Sequence, residues 1–169
     1  METTKKSSQS RPVLTQTENN TTLWIGHIKS DTNDRIAGQT FTCPSEGMLN
    51  NIQVYSSTVQ EPGEVKLTLH EFDPSNKQWG PILGSSSLIL QRGDDARWIR
   101  FETEPLLLKE GATYGFRLQT NNAHIGLGEA AGYAKKPFLF GLAWNSDSNN
   151  QLGNFFRYFS MAFKVEVSA

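Results

Sequence analysis

Near the C-terminus, Phe159, Met161, Phe163, Val165 and Val167 alternate with Ser160, Ala162, Lys164 and Glu166. Period-two alternation places the apolar set on one side of an extended backbone, the pattern of a strand with one buried face. This end of the chain is therefore expected to be built into a sheet. The pattern returns upstream, where Val65, Leu67 and Leu69 alternate with Lys66, Thr68 and His70. Ile99 and Phe101 oppose Trp98, Arg100 and Glu102, and Tyr114, Phe116 and Leu118 oppose Thr113, Arg117 and Gln119. Turn-forming clusters separate these runs: Asp31 to Asp34, Pro62-Gly63, Asp73 to Asn76, Gly93 to Asp95 and Lys109 to Gly111.

Other segments read less cleanly. Leu23 to Lys29 reads as a first edge strand. Met48, Asn50, Ile52 and Val54 share one face, with Leu49 opposite. Ile125 and Leu127 form a brief apolar pair among glycines. Phe138, Phe140, Leu142 and Trp144 share a face, and the small residues opposite them favour close approach of another element. A polar loop is expected from Asn145 to Asn154. The sum is roughly eight to ten strands with no helix, the spacing of an antiparallel β-sandwich of jelly-roll type, with a closed barrel as the main rival.

At 169 residues the chain is long enough for one domain with its own core. Residues 1–21 are rich in Ser, Thr, Gln and Asn and read as a flexible lead; residues 22–169 read as the sandwich domain. Sixteen basic against 17 acidic residues, the basic ones scattered, argue against nucleic acid as a partner. No apolar run is long enough for membrane insertion. The first residues do not form a signal peptide, so the expectation is cytoplasmic residence or an export signal outside this chain. The single cysteine, Cys43, excludes an intrachain disulfide and a thiolate zinc cluster and reads as a small core residue.

Candidate chemistry is sparse. His27, His70 and His124 have no metal-motif spacing, and His70 is expected at the surface. A glycosidase needs two carboxyl groups facing one cleft. Glu129, in the small-residue run Gly126 to Gly132, is the most interesting acid. Glu71, in phase with Leu67 and Leu69, and Asp147 are others, but no spacing ties two of them together, so the sequence points away from an enzyme and offers no catalytic residues. The glycine run lacks the order of a phosphate loop. Arg92-Gly93-Asp94 is a turn that matches an adhesion triplet. Oxygen-rich turns at Asp31, Asn33 and Asp34, at Asp73 and Asn76, and at Asp147 and Asn149 make calcium a candidate structural ion.

Recognition has the better case. Sugars ask for a flat apolar face to stack on and for amide, carboxylate and guanidinium groups to meet hydroxyls. Trp144, Asn145, Asp147, Asn154, Arg157 and Tyr158 gather that mixture in one segment. Trp79, in a polar stretch before Gly80-Pro81, and Tyr133, just after the Glu129 run, complete the candidate ligand-binding set.

The phrases Gly38-Gln-Thr-Phe41, Leu49-x-x-Ile52-x-Val54 and Val65-Lys-Leu-Thr-Leu69 resemble the opening of jelly-roll modules. Trp98-Ile-Arg-Phe101, Leu106 to Leu108 and Gly111 to Leu118 follow in the same style. The stretch from Ile36 to Val167 is similar to the non-catalytic, carbohydrate-binding-like domains of bacterial glycan-processing and surface proteins. That resemblance implies a jelly roll, an extracellular or cell-surface setting and a sugar ligand; it implies no catalytic residues. The leading expectation is thus a carbohydrate-binding module. A structural or assembly domain, binding another protein or itself, is the alternative, and a glycosidase-like enzyme comes third.

Overall fold

The computed structural model describes residues 9–132 and 137–169. They form thirteen strands in an all-β, antiparallel architecture curled into a half-barrel, a β-sandwich of jelly-roll-like character. The first strands are β1 (Ser10–Gln16), β2 (Thr21–Gly26), β3 (Arg35–Thr42) and β4 (Gly47–Glu61). Next come β5 (Gly63–Asp73), β6 (Gln78–Leu90), β7 (Arg97–Leu108), β8 (Thr113–Gln119) and β9 (His124–Ala131). The last are β10 (Ala143–Asp147), β11 (Asn150–Phe156), β12 (Phe159–Met161) and β13 (Phe163–Ser168). Arg92–Asp94 forms a 3-10 turn, in which Asp94 accepts from the Gln91 amide and from Arg97. The hydrogen-bonded order runs β1-β13-β4-β9-β2-β3-β8-β5-β6, with β7 on β4, β12 on β9, and β10 between β3 and β11.

Period-two alternation sets the core. Phe116 and Leu118 of β8, Leu67 and Leu69 of β5, and Phe163, Val165 and Val167 of β13 are all buried. Phe163 packs against Phe116 at 5.7 Å and Phe41 at 6.2 Å between ring centroids, joining β13 to β8 and β3. Burying each such side chain contributes about 1.5–3 kcal/mol. Cys43 is buried as expected, and burial raises its thiol pKa.

Several expectations are corrected. Ser10–Gln16 lies within the expected flexible lead but forms β1, antiparallel to β13 from Ser10–Ser168 to Gln16–Phe163. Backbone pairing recruits it together with Val13 and Leu14, which pack on the core. β2 is not the first strand, but it does keep an open edge: it pairs with β9 along its length on one side and meets β3 only at Gly26–Arg35 on the other. On β4, a register shift between Leu49 and Asn51 reverses the phase, so Leu49 joins Ile52 and Val54 in the core and Met48 faces outward.

On β5, a shift between His70 and Phe72 buries Phe72 and leaves Glu71 exposed. His70 is also buried, its Nδ1 donating to the Gly80 carbonyl at 3.1 Å and its Nε2 accepting from Thr68 at 2.8 Å. Burial is the main cause of its lowered pKa. The Ile125–Leu127 pair belongs to a strand buried nearly throughout. The alternation at the C-terminus is interrupted: Ala162 lies between β12 and β13, and Phe159 is exposed. No strand covers residues 138–142. They follow β3 through Thr40 N–H to Leu142 O and Thr42 N–H to Phe140 O, close enough that a Cβ on Gly141 would meet the Thr40 carbonyl.

Among the described residues no helix is long and apolar enough to cross a membrane.

Candidate binding cleft between β2 and β10

The segment read as a polar loop is a β-hairpin. β10 and β11 pair from Ala143–Phe156 to Asp147–Asn150, and the Asp147 carboxylate accepts the Asn149 and Asn150 amides at 2.8 Å to shape the turn. Those bonds hold its pKa below the usual carboxylate range. Amide-rich composition suggested a loop because Asn and Asp favour turns, yet the ladder needs only backbone groups. The hairpin docks on β3, with Trp144 opposite Gly38 and Asn145 opposite Ala37.

Successive hairpin residues therefore face opposite sides. Trp144 and its partner Phe155 point away from the core, into an aromatic layer with Trp79, Phe72 and His70. A Cβ on Gly38 would lie 3.0 Å from Trp144, and one on Gly115 would lie 2.6 Å from Trp79, so missing side chains let the indoles settle on the sheet. Arg117 lies over both indoles, which themselves meet edge to face at 5.3 Å; its guanidinium carbon is 4.3 Å from the Trp79 ring centroid and 4.4 Å from that of Trp144. No carboxylate pairs with Arg117 among the described residues, and burial lowers its pKa. Among the described residues the buried Nε of Arg117 and Nε1 of Trp79 have no hydrogen-bond partner.

This arrangement removes one expected platform. Trp144 is 1% exposed and its Nε1 donates to Leu152 O at 3.1 Å, leaving no ring face for a ligand. Trp79 lies on β6, not in a loop, and is half-buried in the same layer. Arg157 is exposed, 5.9 Å from the half-buried Tyr158 ring, and lines a cavity of about 290 Å³ with Lys77, Leu142 and Phe155. Asn154 is exposed opposite Asn145. Tyr133 lies outside the described residues.

Asn145 and Asp147 do come together, in a cleft that no local sequence signal reveals. β10 follows β3 from Arg35 to Gln39, whereas β2 meets β3 at the single pair Gly26–Arg35. Away from Arg35 the two strands part. One half of the gap is a cavity of about 280 Å³ lined by Leu23, Trp24, Arg35, Asn145 and Asp147 among others. Leu23 and Asn145 also line the other half, about 180 Å³, with Glu129, Phe156 and Phe159. Trp24 stacks on His124 at 4.5 Å and 18°, and His124 contacts Gln60 at 2.5 Å. Desolvation, Arg35 and His27 together lower the His124 pKa.

Glu129 is the most perturbed acid of the cleft. It is 7% exposed, and burial alone raises its pKa to about 7. Among the described residues no second carboxylate is paired with it: Asp147 lies in the other half of the cleft and is engaged by its own turn. Trp24, Arg35 and Phe159 were missed as site residues. The alternation of Leu23 and Ile25 with Thr22 and Trp24 could have placed Trp24 off the core face.

The oxygen-rich turns use their carboxylates internally. Asp31 accepts the Asn33 amide at 2.9 Å, and Asp73 accepts the Ser75 amide at 3.0 Å and the Asn76 side chain at 2.9 Å. Asp34 contacts His27. Among the described residues no group of three or more His, Cys, Asp or Glu side chains is placed to hold a metal ion. A larger cavity, about 470 Å³, is lined by Glu64, Lys66, Gln119, Thr120, Asn121 and Asn122 and has no aromatic wall.

No family model matches the chain, and no curated protein matches it. The architecture is that of a β-sandwich compatible with a non-catalytic binding module.

Proposed function

We propose that the protein is a non-catalytic module that binds carbohydrate in the cleft between β2 and β10. The supporting observation is that Trp24, Arg35, Asn145 and Asp147 line one groove. A sugar offers an apolar ring face and a set of hydroxyls, and this groove supplies an indole, a guanidinium, an amide and a carboxylate to meet them. The Asn145 side chain has no hydrogen bond among the described residues, so its donor and acceptor are both available to hydroxyls. These groups sit on paired strands, which lowers the ordering cost of binding. An extracellular or cell-surface setting, within a larger protein, belongs to the same reading.

The test is a glycan-array screen of the wild type and Asn145→Ala, each in calcium and in EDTA. The expected result is reproducible binding to one glycan class, weakened in the variant and unchanged by EDTA. A blank array for a folded wild type would count against the reading.

Self-association is the second reading, and the observation favouring it lies on β6. That strand ends the hydrogen-bonded order and exposes Ile82 at 60% and Ile89 at 62%. Sedimentation velocity across a concentration series checks it; a constant monomer sediment coefficient would remove it.

A further inference from the structure

Glu129 lies on β9 in phase with Ile125 and Leu127, so the strand alternation that builds the core also points a carboxyl inward. It lines the inner half of the cleft beside Leu23, Asn145, Phe156 and Phe159. Among the described residues no hydrogen bond or ion pair reaches this carboxyl. The neighbouring strands bring no charge to it. Thr21 and Leu23 come from β2, Phe159 and Met161 from β12, and Asn145 from β10. The charged residues of the cleft, Arg35 and Asp147, line its other half, and Glu61 is paired with His124 at the opposite end of β9.

An unpaired acid between apolar walls is costly as a carboxylate, which is why burial holds it protonated near neutrality. Phe156 and Phe159 meet edge to face at 5.7 Å and 82° beside it. A small cation resolves this arrangement better than a neutral group. Its charge pairs with the carboxylate while its C–H surface rests on the phenyl rings. A hydroxyl would supply one hydrogen bond and leave the acid uncharged.

We propose that the inner half of the cleft is an ammonium-binding pocket, with Glu129 as the counter-ion and Phe156 and Phe159 as walls, and that the glycan it takes is an amino sugar. The second clause rests on the carbohydrate reading; the first does not. Binding of a cation favours the carboxylate form, so affinity rises as pH increases through the Glu129 titration and falls below it.

The test titrates the protein with tetramethylammonium chloride, a cation at every pH, and with tert-butanol as its neutral counterpart. The Phe156 and Phe159 ring signals are followed by NMR. Tetramethylammonium is expected to shift them saturably and to bind about tenfold or more tighter at pH 8 than at pH 5. Tert-butanol is expected to shift them weakly, and Glu129→Gln to abolish the pH dependence. Equal affinities at the two pH values in the wild type, or equal binding of tert-butanol, would overturn the pocket whatever the variant does.

A glucosamine hexamer and an N-acetylglucosamine hexamer are then compared at pH 7. A preference of about tenfold or more for the free amine is expected. Equal binding of the two overturns the amino-sugar assignment and leaves the carbohydrate reading standing. Tetramethylammonium binding with no response to any glycan upholds the ammonium pocket and overturns the carbohydrate reading.

Discussion

Gly26 and Arg35 form the single paired position between β2 and β3, and Arg35 is also the partner of Asp147 on β10. Two strands distant in sequence thus converge on one residue and part from it. The cleft is a consequence of this pairing, since the side chains of Leu23 and Asn145 face a gap where a continuous ladder would have closed it.

Gly26 is essential to that junction. Its φ is +81°, and a Cβ would collide with the Ala123 carbonyl, backbone that cannot swing aside. Gly26→Ala is expected to destabilise the fold by about 3 kcal/mol or more, combining positive-φ strain with overpacking. Urea denaturation of the variant checks this, and a loss below about 1 kcal/mol would show that the junction relaxes easily.

Stability should fall as pH rises between about 4.5 and 7. The Glu129 pKa is raised from 4.5 to about 7 in the folded protein, so folding favours its protonated form. Its contribution is complete below the unfolded value, is lost through that window and is constant above it, a change of roughly 3 kcal/mol. Glu129→Gln is neutral throughout and is expected to remove this slope and to be more stable than the wild type at pH 8. Chemical denaturation of both proteins at several pH values gives the comparison.

Arg117 tests the aromatic layer on the opposite side of the hairpin. Its planar guanidinium lies against both the Trp79 and the Trp144 ring, a double contact an ammonium cannot reproduce. Arg117→Lys is expected to cost about 1 kcal/mol and to alter the near-UV circular dichroism of the indoles. An unchanged spectrum would mean that the stack does not depend on the guanidinium.

Glu166 holds β1, β4 and β13 together through one oxygen. Its Oε1 accepts from Ser10 at 3.0 Å and from Asn51 and Gln53 at 3.1 Å each. Glu166→Ala leaves the buried Asn51 amide short of an acceptor and is expected to cost about 1–3 kcal/mol. Hydrogen exchange should quicken in β1 first, since Ser10 loses its tie to β13.

The fold was legible where side-chain period and backbone phase agree. β5, β8 and β13 announce their buried faces because alternation there survives with little interruption. It failed at the start of β4, where one extra residue between Leu49 and Asn51, counted against β13, puts Leu49 and not Met48 in phase with Ile52 and Val54. It failed again for β1, whose polar residues are held by pairing with β13. For the candidate cleft the sequence offers residue types but not their places. The hairpin does carry Asn145 and Asp147 into a cleft, but the indole beside them is directed into the layer over Gly38. Which strand lies opposite Asn145 is decided by contacts across the whole chain, so Trp24 and Glu129 could not be joined to it beforehand.

The most direct measurement is amide chemical-shift mapping of the labelled protein titrated with soluble oligosaccharides, the glucosamine hexamer among them. Saturable shifts concentrated at Leu23, Trp24, Asn145 and Phe156, on both sides of the gap between β2 and β10, are expected. Shifts centred instead on Lys77 and Arg157, across the hairpin, or no shifts with any oligosaccharide, would contradict carbohydrate binding in the cleft.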